Sequence, residues 1–351
     1  MKLVFVTQTL DPEHGSLAQT LDLVGALANR VDDLVVLCRD TRWDEAPANV
    51  TVRTFDAATK VGRAVAFERA LLSSSEGADA VFVHMVPTFL VLAAPLARAR
   101  KLSLLLWYTH WHASRSLKLA TRLCDVALSV DVSSFPLISG KVRGIGHAIE
   151  VSEFTGEPPA QHEGPLRLLA LGRTARWKGL QTLVDAFRSV DLDATLELRG
   201  PSLTADERIH RQELAAAAID DPRISLEQSL PRSEVPALLR EADVLVSPAQ
   251  PQTGATLDKA VYEAAACARP VVTTNAALAP FLAGLPLQLL APPQEPAALA
   301  HVLTGVVQAT AEQRAAVGAE LRRRVVEQHS LDHWADTVIS IIREVRSPRG
   351  G

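Results

Sequence analysis

Short apolar runs alternate along the chain with amphipathic segments whose apolar residues recur every three or four positions. The first run, at 3–6, is followed by helical spacing of leucine and valine over 17–27, and then by an apolar run at 34–37. Near-continuous Val and Leu runs are typical of parallel strands buried on both faces. Their alternation with helices indicates βαβ units. Further strands are predicted at 50–55, 80–83, 102–106 and 126–130.

A polar segment at 155–165 separates this series from a second one. It holds three prolines and two glycines and has no strong periodicity, as expected of a linker. The second series predicts strands at 166–171, 195–199, 224–226, 244–247 and 271–273. Its helices are predicted at 180–190, 235–241 and 260–267, with further helices at 312–327 and 332–345.

The predicted fold class is therefore α/β, with two doubly wound, Rossmann-like domains. We place the first at 1–154 and the second at 166–330, on either side of the linker. Ligands of open α/β sheets bind beyond the carboxyl ends of the strands, so we expect a site in a cleft between the two domains.

Composition excludes several classes of protein. With 351 residues, 48% hydrophobic and 22% charged, and a mean hydropathy of +0.11, the chain is neither disordered nor fibrous. A net charge of −4 and only 5% aromatic residues argue against nucleic-acid binding. Cys38, Cys124 and Cys267 lie in apolar runs, which favours buried thiols in a reducing cytosol.

The only long apolar stretch, at 80–97, is interrupted by His84, Pro87 and Pro95. A strand, a turn and a helix explain it better than a membrane span. The first residues are too short an apolar run for a signal peptide. We therefore expect a cytoplasmic protein.

The turn at 171–179 carries the strongest chemical signal. It lies between a predicted strand and an amphipathic helix, and glycines at 172 and 179 flank it. Such a turn directs backbone N–H groups and a helix dipole toward one spot. Arg173 and Lys178 add positive charge there, which suits a diphosphate leaving group. Ordinary solvated loop charges are the alternative interpretation.

A second signal is Glu263, which lies in an otherwise apolar helical stretch after the strand at 244–247. A carboxylate in that setting is costly unless it is paired or receives donors such as ribose hydroxyls. A buried salt bridge is the simpler alternative.

Taken in order, these segments resemble the retaining nucleotide-sugar glycosyltransferases of family 4, which have the GT-B fold. The motifs that carry the resemblance are the Gly15 loop after the first strand, Gly-Ile-Gly-His at 144–147, Gly-Arg-x4-Lys-Gly at 172–179, Ala-Asp-Val-Leu-Val-Ser-Pro at 242–248, Glu-Ala-Ala-Ala-Cys-Ala-Arg-Pro-Val-Val at 263–272 and Ser-Leu-Asp-His-Trp at 330–334. By this resemblance, the segment 331–351 is a helix and tail that return to the first domain.

The resemblance also implies roles for residues of the second domain. Arg173 and Lys178 would hold the diphosphate of the donor, Glu263 would bind the ribose hydroxyls, and Leu230 would contact the base. All four would thus bind a nucleoside-diphosphate sugar.

On the first domain, the resemblance implies that His110 lies beside the donor sugar, where it takes part in catalysis. Gly15 would lie where a loop approaches the diphosphate closely, as glycine allows. A structural role is the alternative for His110, which follows an apolar run.

One departure from the family concerns the loop before the helix of Glu263. The family's usual first glutamate is replaced by Ala255, and its Gly-Phe-Gly by Thr256-Leu257-Asp258. We expect Gly254, Thr256 and Leu257 to offer backbone N–H groups to a phosphate or a sugar hydroxyl. The substitution at 255 leaves the donor sugar open.

These features predict a retaining hexosyltransferase that uses a nucleoside-diphosphate sugar and a hydroxyl acceptor. No cofactor or metal is expected, because a cationic clamp makes a metal unnecessary. A sugar-nucleotide epimerase of the same architecture is one alternative. A non-catalytic nucleotide-binding protein is another, prompted by Ala255.

The stretch 95–144 is basic, although the whole chain is acidic. It contains eight cations against Asp125 and Asp131, a local charge of +6: Arg98, Arg100, Lys101, Arg115, Lys118, Arg122, Lys141 and Arg143. Such a patch is suited to peripheral contact with an anionic membrane. Solvated helix faces explain it equally well.

Overall fold

The computed structural model describes residues 1–12, 17, 19–156, 164–250 and 258–346. The chain forms two units: unit 1 comprises Met1–Ala148 and Ser330–Gly351, and unit 2 comprises Ile149–His329. Each unit is built on its own parallel sheet flanked by helices. The predicted class of two doubly wound α/β domains is confirmed.

Unit 1 carries nine strands among its described residues. They are β1 (Lys2–Val6), β2 (Thr9–Leu10), β3 (Asp33–Cys38), β4 (Asp40–Thr41), β5 (Val50–Thr54), β6 (Ala80–His84), β7 (Ser103–Trp107), β8 (Val126–Ser129) and β9 (Val142–Gly144). Seven form one sheet in the order β5–β3–β1–β6–β7–β8–β9, while β2 pairs with β4. The strands β6, β7 and β8 are buried along their whole length, which explains their continuous apolar sequence.

The order of this sheet reverses between β1 and β6, which pair in parallel with Leu3 opposite Ala80. Such a reversal opens a crevice at the carboxyl ends of the two strands, where doubly wound sheets bind ligands. The predicted contact Gly15 comes after β1 and β2 in the sequence, and residues 13–16 lie outside the described part of the chain.

Four α-helices lie before residue 148 among the described residues of unit 1. They are α1 (Thr20–Ala28), α2 (Lys60–Ser74), α3 (Pro87–Ala99) and α4 (Arg115–Leu123). The apolar stretch at 80–97 is a strand followed by a helix, as predicted. The sequence did not predict α2, whose buried face is narrow: only Phe67, Leu71 and Ser74 are buried in its 15 residues. Within the described residues, no helix is both long enough and apolar enough to cross a membrane.

Unit 2 has a five-stranded sheet in the order β12–β11–β10–β13–β14. Its strands are β10 (Leu166–Leu171), β11 (Ala194–Arg199), β12 (Ile224–Glu227), β13 (Val244–Ser247) and β14 (Val271–Thr273). Its helices are α5 (Leu180–Arg188), α6 (Ala205–Ala218), α7 (Val235–Glu241), α8 (Lys259–Ala266), α9 (Ala279–Leu282), α10 (Pro296–Gln308) and α11 (Ala311–Gln328). All strand pairs in this sheet are parallel.

The last helix, α12 (Leu331–Arg346), belongs to unit 1. Trp334 is fully buried, and its ring lies 5.7 Å from that of Trp107 and 6.0 Å from that of Phe82. At the surface, Arg30 of unit 1 forms ion pairs with Asp332 and Asp336 at 2.7 and 2.6 Å. Aromatic burial and these pairs fix α12 against the first sheet.

The boundary between the units lies a few residues before the predicted one. Residues 149–154 were assigned to the first domain from the sequence, but they belong to unit 2. Phe154 is fully buried, and its carbonyl accepts a 2.6 Å hydrogen bond from Arg322 of α11. The predicted linker 155–165 falls mostly on residues 157–163, which lie outside the described part of the chain.

The three cysteines are all buried and unbridged, as predicted. Burial raises the pKa of Cys38 to about 12, that of Cys124 to about 12 and that of Cys267 to about 11. Neutral, shielded thiols of this kind behave as small apolar side chains.

Trp334→Ala should lower the free energy of unfolding by about 3–5 kcal/mol, since a fully buried tryptophan leaves a large cavity. Chemical denaturation followed by circular dichroism measures this change. Ile138→Ala, at a fully exposed position, serves as the control and should change stability by less than about 0.5 kcal/mol. Equal effects of the two substitutions would contradict the packing of α12 on unit 1.

Candidate functional site

Three loops of unit 2 meet at the carboxyl edge of its sheet. Gly172, directly after β10, has φ +147°, and Gly200, directly after β11, has φ +152°. A β-carbon on Gly200 would collide with the carbonyl of Gly172, and one on Gly179 would collide with the carbonyl of Pro248 after β13. The backbones of these loops therefore approach so closely that only glycine fits.

This approach leaves a small cleft at the ends of β10 and β13. Its polar lining includes Arg173, Lys178, Ser247 and Asp258. Gly179 has left-handed backbone geometry, φ +68°, and is followed at once by α5. The structure thus brings the two cations predicted for the diphosphate, Arg173 and Lys178, into one cleft.

Arg173 is tied to Glu207, a buried carboxylate in the first turn of α6. The other oxygen of Glu207 accepts a 2.6 Å hydrogen bond from the backbone N–H of Leu203. Burial opposes the ionisation of Glu207, but the Leu203 N–H and the Arg173 guanidinium outweigh it and lower the pKa of the carboxyl. Arg173 Nε is buried without a hydrogen-bond partner among the described residues.

Lys178 forms a second ion pair in the cleft. Its Nζ lies 2.6 Å from Oδ2 of Asp258 and 4.9 Å from the centre of the Trp177 ring. Only 13% of the Lys178 side chain and 17% of the Asp258 side chain are exposed. Each predicted cation is therefore held by a carboxylate, and Lys178 is largely buried, whereas 42% of the Arg173 side chain is exposed.

Glu263 is buried in α8, with 5% of its side chain exposed. Its Oε1 accepts a 2.7 Å hydrogen bond from Arg232 Nη1 and forms a second ion pair with Lys259 Nζ at 3.1 Å. Glu263 therefore forms a buried salt bridge, the simpler of the two interpretations, and its contact with ribose stays a prediction. Leu230, the predicted base contact, is half-buried and lies two residues before Arg232.

His110 is exposed on the loop after β7. Its ring stacks on that of Trp111 at 5.4 Å, and its Nδ1 accepts a 3.1 Å hydrogen bond from the His112 backbone. Partial desolvation of the ring, with a smaller effect of the neighbouring His112, lowers the pKa of His110. Its role beside the donor sugar stays a prediction.

Among the described residues of unit 1, His84 at the end of β6 is a buried histidine. Its Nδ1 lies 3.1 Å from the Thr7 hydroxyl, and its ring stacks on Phe5. Complete burial lowers the pKa of His84 to about 4, so that it remains neutral.

Four predicted contacts lie outside the described part of the chain: Gly15, Gly254, Thr256 and Leu257. Ala255 lies outside it as well. In the rest of the chain, no three His, Cys, Asp or Glu side chains are grouped as a metal site would require.

Sequence reasoning missed the two carboxylates that hold the cations. Glu207 follows Thr204 by three residues, the spacing of a helix-capping motif, and this was the available signal. Asp258 stands directly before α8, where an aspartate is usually taken to cap its helix. Arg232, the partner of Glu263, gave no comparable signal.

Comparisons with known proteins agree with this architecture. The sucrose-phosphate synthase of Thermosynechococcus elongatus superposes with a TM-score of 0.73 at 16% identity, covering 98% of this chain and 99% of that one. Anabaena HepE, solved with UDP and glucose, gives 0.73 at 16% identity, covering 98% and 100%. A Rickettsia africae glycosyltransferase gives 0.77 at 12%, covering 99% of both chains. Among curated proteins, none matches this sequence.

These similarities define the class of fold as GT-B, that of glycosyltransferases with two Rossmann-like units. Residues 165–309 match the family described as Glycosyl transferases group 1. The match lies within unit 2, where the sequence motifs at 172–179 and 263–272 carry the same resemblance. The matched residues include both cations of the cleft.

Gly179→Ala should destabilise the protein more than Gly284→Ala, although both glycines have positive φ, +68° and +74°. A β-carbon at 284 meets open space, whereas at 179 it meets the Pro248 carbonyl. We expect an extra cost of about 1–3 kcal/mol in unfolding free energy at 179, the usual penalty of overpacking. Chemical denaturation of the two variants measures it, and equal losses would contradict the close approach of the loops.

Proposed function

We propose that the protein is a retaining glycosyltransferase that moves a sugar from a nucleoside-diphosphate sugar to a hydroxyl acceptor without a metal ion. The observation that carries the proposal is that Arg173 and Lys178 line the same cleft. This cleft lies in the unit that matches the glycosyltransferase family. Cations fixed at the carboxyl end of a parallel sheet suit the charge that develops on a departing diphosphate.

In the proposed reaction, the bond between the sugar and the diphosphate breaks as the acceptor hydroxyl attacks from the same face. Arg173 donates in a fixed, planar geometry, and Lys178 supplies a compact charge. Both stabilise the diphosphate as its negative charge grows. The leaving phosphate oxygen accepts the proton of the acceptor, so the mechanism requires no protein base.

The remaining predicted residues complete the donor site in this proposal. Glu263 would receive the ribose hydroxyls, and Leu230 would contact the base. Backbone groups of Gly15, Gly254, Thr256 and Leu257 would contact phosphate or sugar, and His110 would lie beside the sugar. Because Anabaena HepE was solved with UDP and with UDP-glucose, UDP-glucose is the first donor to test.

Arg173→Ala and Lys178→Ala should each reduce turnover by about 10²-fold or more, as the loss of a transition-state donor typically does. Release of the nucleoside diphosphate from UDP-glucose, in water and with a panel of hydroxyl acceptors, measures turnover. Arg176→Ala is the matched control, because Arg176 is half-exposed and pairs with Asp206 and Glu213 rather than lining the cleft.

Near-normal turnover in both cleft variants would contradict the proposed clamp. A stereoisomeric sugar nucleotide formed from the donor alone would identify an epimerase instead. Saturable nucleotide binding without transfer to any acceptor would indicate a non-catalytic protein.

We also propose that the enzyme is cytoplasmic and contacts an anionic membrane through α4. Several cations of the basic stretch serve the fold: Arg98 donates to the Leu123 carbonyl, Lys141 to the carbonyls of Arg122 and Cys124, and Arg143 pairs with Glu344. These cations are therefore weak support for a membrane surface.

The exposed face of α4 supports the membrane proposal better. Arg115, Lys118 and Arg122 recur on it at helical spacing, and Leu119 between them is 44% exposed. The ring of Trp111, just before the helix, is also partly exposed. Basic side chains interspersed with exposed apolar ones are complementary to an anionic lipid surface.

Lys118→Ala/Arg122→Ala should weaken binding to phosphatidylglycerol vesicles about 30-fold, since each cation near such a surface contributes about 1 kcal/mol. Vesicle co-sedimentation at low salt measures this. Lys60→Ala/Arg69→Ala removes two exposed cations of α2 and should leave binding unchanged. Equal loss in both variants, or equal binding to neutral phosphatidylcholine vesicles, would refute a docking role for α4.

A further inference from the structure

Asp258 is the N-cap residue of α8, yet its side chain makes no hydrogen bond to its own helix. An aspartate in this position normally accepts from a backbone N–H of the first turn. Other N-cap side chains in the described chain do so, namely those of Thr59, Ser114, Asp131, Thr204, Asn275 and Thr310. Helix capping therefore does not account for the position of the Asp258 carboxylate.

The carboxylate is directed into the cleft instead. Its Oδ2 lies 2.6 Å from Lys178 Nζ and accepts a 3.3 Å hydrogen bond from the Ser247 hydroxyl at the end of β13. Both charged side chains are more than four-fifths buried. Such a buried ion pair adds little to the stability of the fold, because the cost of removing both charges from water offsets their attraction. Stability therefore does not explain why Asp258 is placed here.

Lys178, the ion-pair partner of Asp258, lies directly against the turn that follows β10. A β-carbon on Gly172 would be 3.4 Å from Lys178 Nζ, so the ammonium packs against the backbone of that residue. An ammonium has three N–H donors, and Asp258 accepts from one of them. The ion pair therefore holds Lys178 beside Arg173 while leaving it donors for an anion.

We propose that Asp258 is a positioning residue of the donor site, whose carboxylate, held by Ser247, fixes the ammonium of Lys178 where it contacts the diphosphate. The inference rests on the proposed function, in which Lys178 binds that group. Asp258 acts through Lys178 and does not itself contact the donor phosphates.

A double-mutant cycle separates positioning from a merely structural or a repulsive role. Wild type, Asp258→Asn, Lys178→Ala and the double variant are titrated by calorimetry with UDP, GDP, ADP and TDP, and with the matching monophosphates. For the nucleotide bound most tightly, Asp258→Asn should weaken diphosphate affinity about tenfold, the scale of one charge-assisted hydrogen bond. In the Lys178→Ala background it should have no weakening effect.

Two further variants test the same idea. Ser247→Ala should weaken diphosphate binding less than Asp258→Asn does, and only when Lys178 is present. Thr310→Ala removes a cap from α11, far along the chain from the cleft, and should lower the melting temperature without changing nucleotide affinity. It controls for effects that act through helix stability.

Equal weakening by Asp258→Asn in both backgrounds would overturn the proposal, because Asp258 would then act independently of Lys178. Tighter diphosphate binding in Asp258→Asn would also overturn it, since the carboxylate would merely repel phosphate. If Lys178→Ala weakens binding and Asp258→Asn does not, only the role of Asp258 fails. If Lys178→Ala leaves diphosphate affinity unchanged, the clamp of the proposed function fails with it.

Discussion

Direct contact between backbones at the carboxyl edge of the second sheet is the constraint on which the candidate site depends. The loops after β10, β11 and β13 touch where Gly200 meets the carbonyl of Gly172 and where Gly179 meets that of Pro248, and a β-carbon fits at neither Gly179 nor Gly200. Side chains at these glycines would separate the loops and enlarge the cleft. Because the glycines keep the loops together, residues that are remote in sequence share one small volume, and their charges interact there.

Charge within that volume is balanced pair by pair. Arg173 is held by Glu207 and Lys178 by Asp258, so each cation of the cleft has an anionic partner. Buried charges persist in proteins only when they are paired or hydrogen-bonded. A cation that is already oriented loses less side-chain entropy when an anion binds, which is the physical advantage of preorganisation. Glu263 shows the converse arrangement, one carboxylate between two cations.

In unit 1, the basic residues of the segment 95–144 have different roles in the fold. Between 95 and 144 the cations look equivalent in the sequence. In the fold, Arg98 and Lys141 cap backbone carbonyls and Arg143 joins α12 through Glu344, whereas Lys118 and Arg122 face solvent from α4. A local charge count therefore overstates the surface that an anionic partner would meet.

The sequence by itself determined the order and type of most elements, because a buried strand or helix is recorded in its own residues. The strands at 166–171 and 244–247 lie where apolar runs predicted them. The helix α6 was missed because its buried positions include Glu207 and a histidine, which interrupt the apolar pattern.

The two cations of the cleft could also be predicted from the sequence, because Arg173 and Lys178 each stand next to a glycine in a turn between a strand and a helix. Their partners lie 34 and 80 residues away, and only the tertiary structure decided them. Parallel strands joined by crossovers bring distant carboxyl ends to one edge, so strand order and backbone contact determine which charges meet.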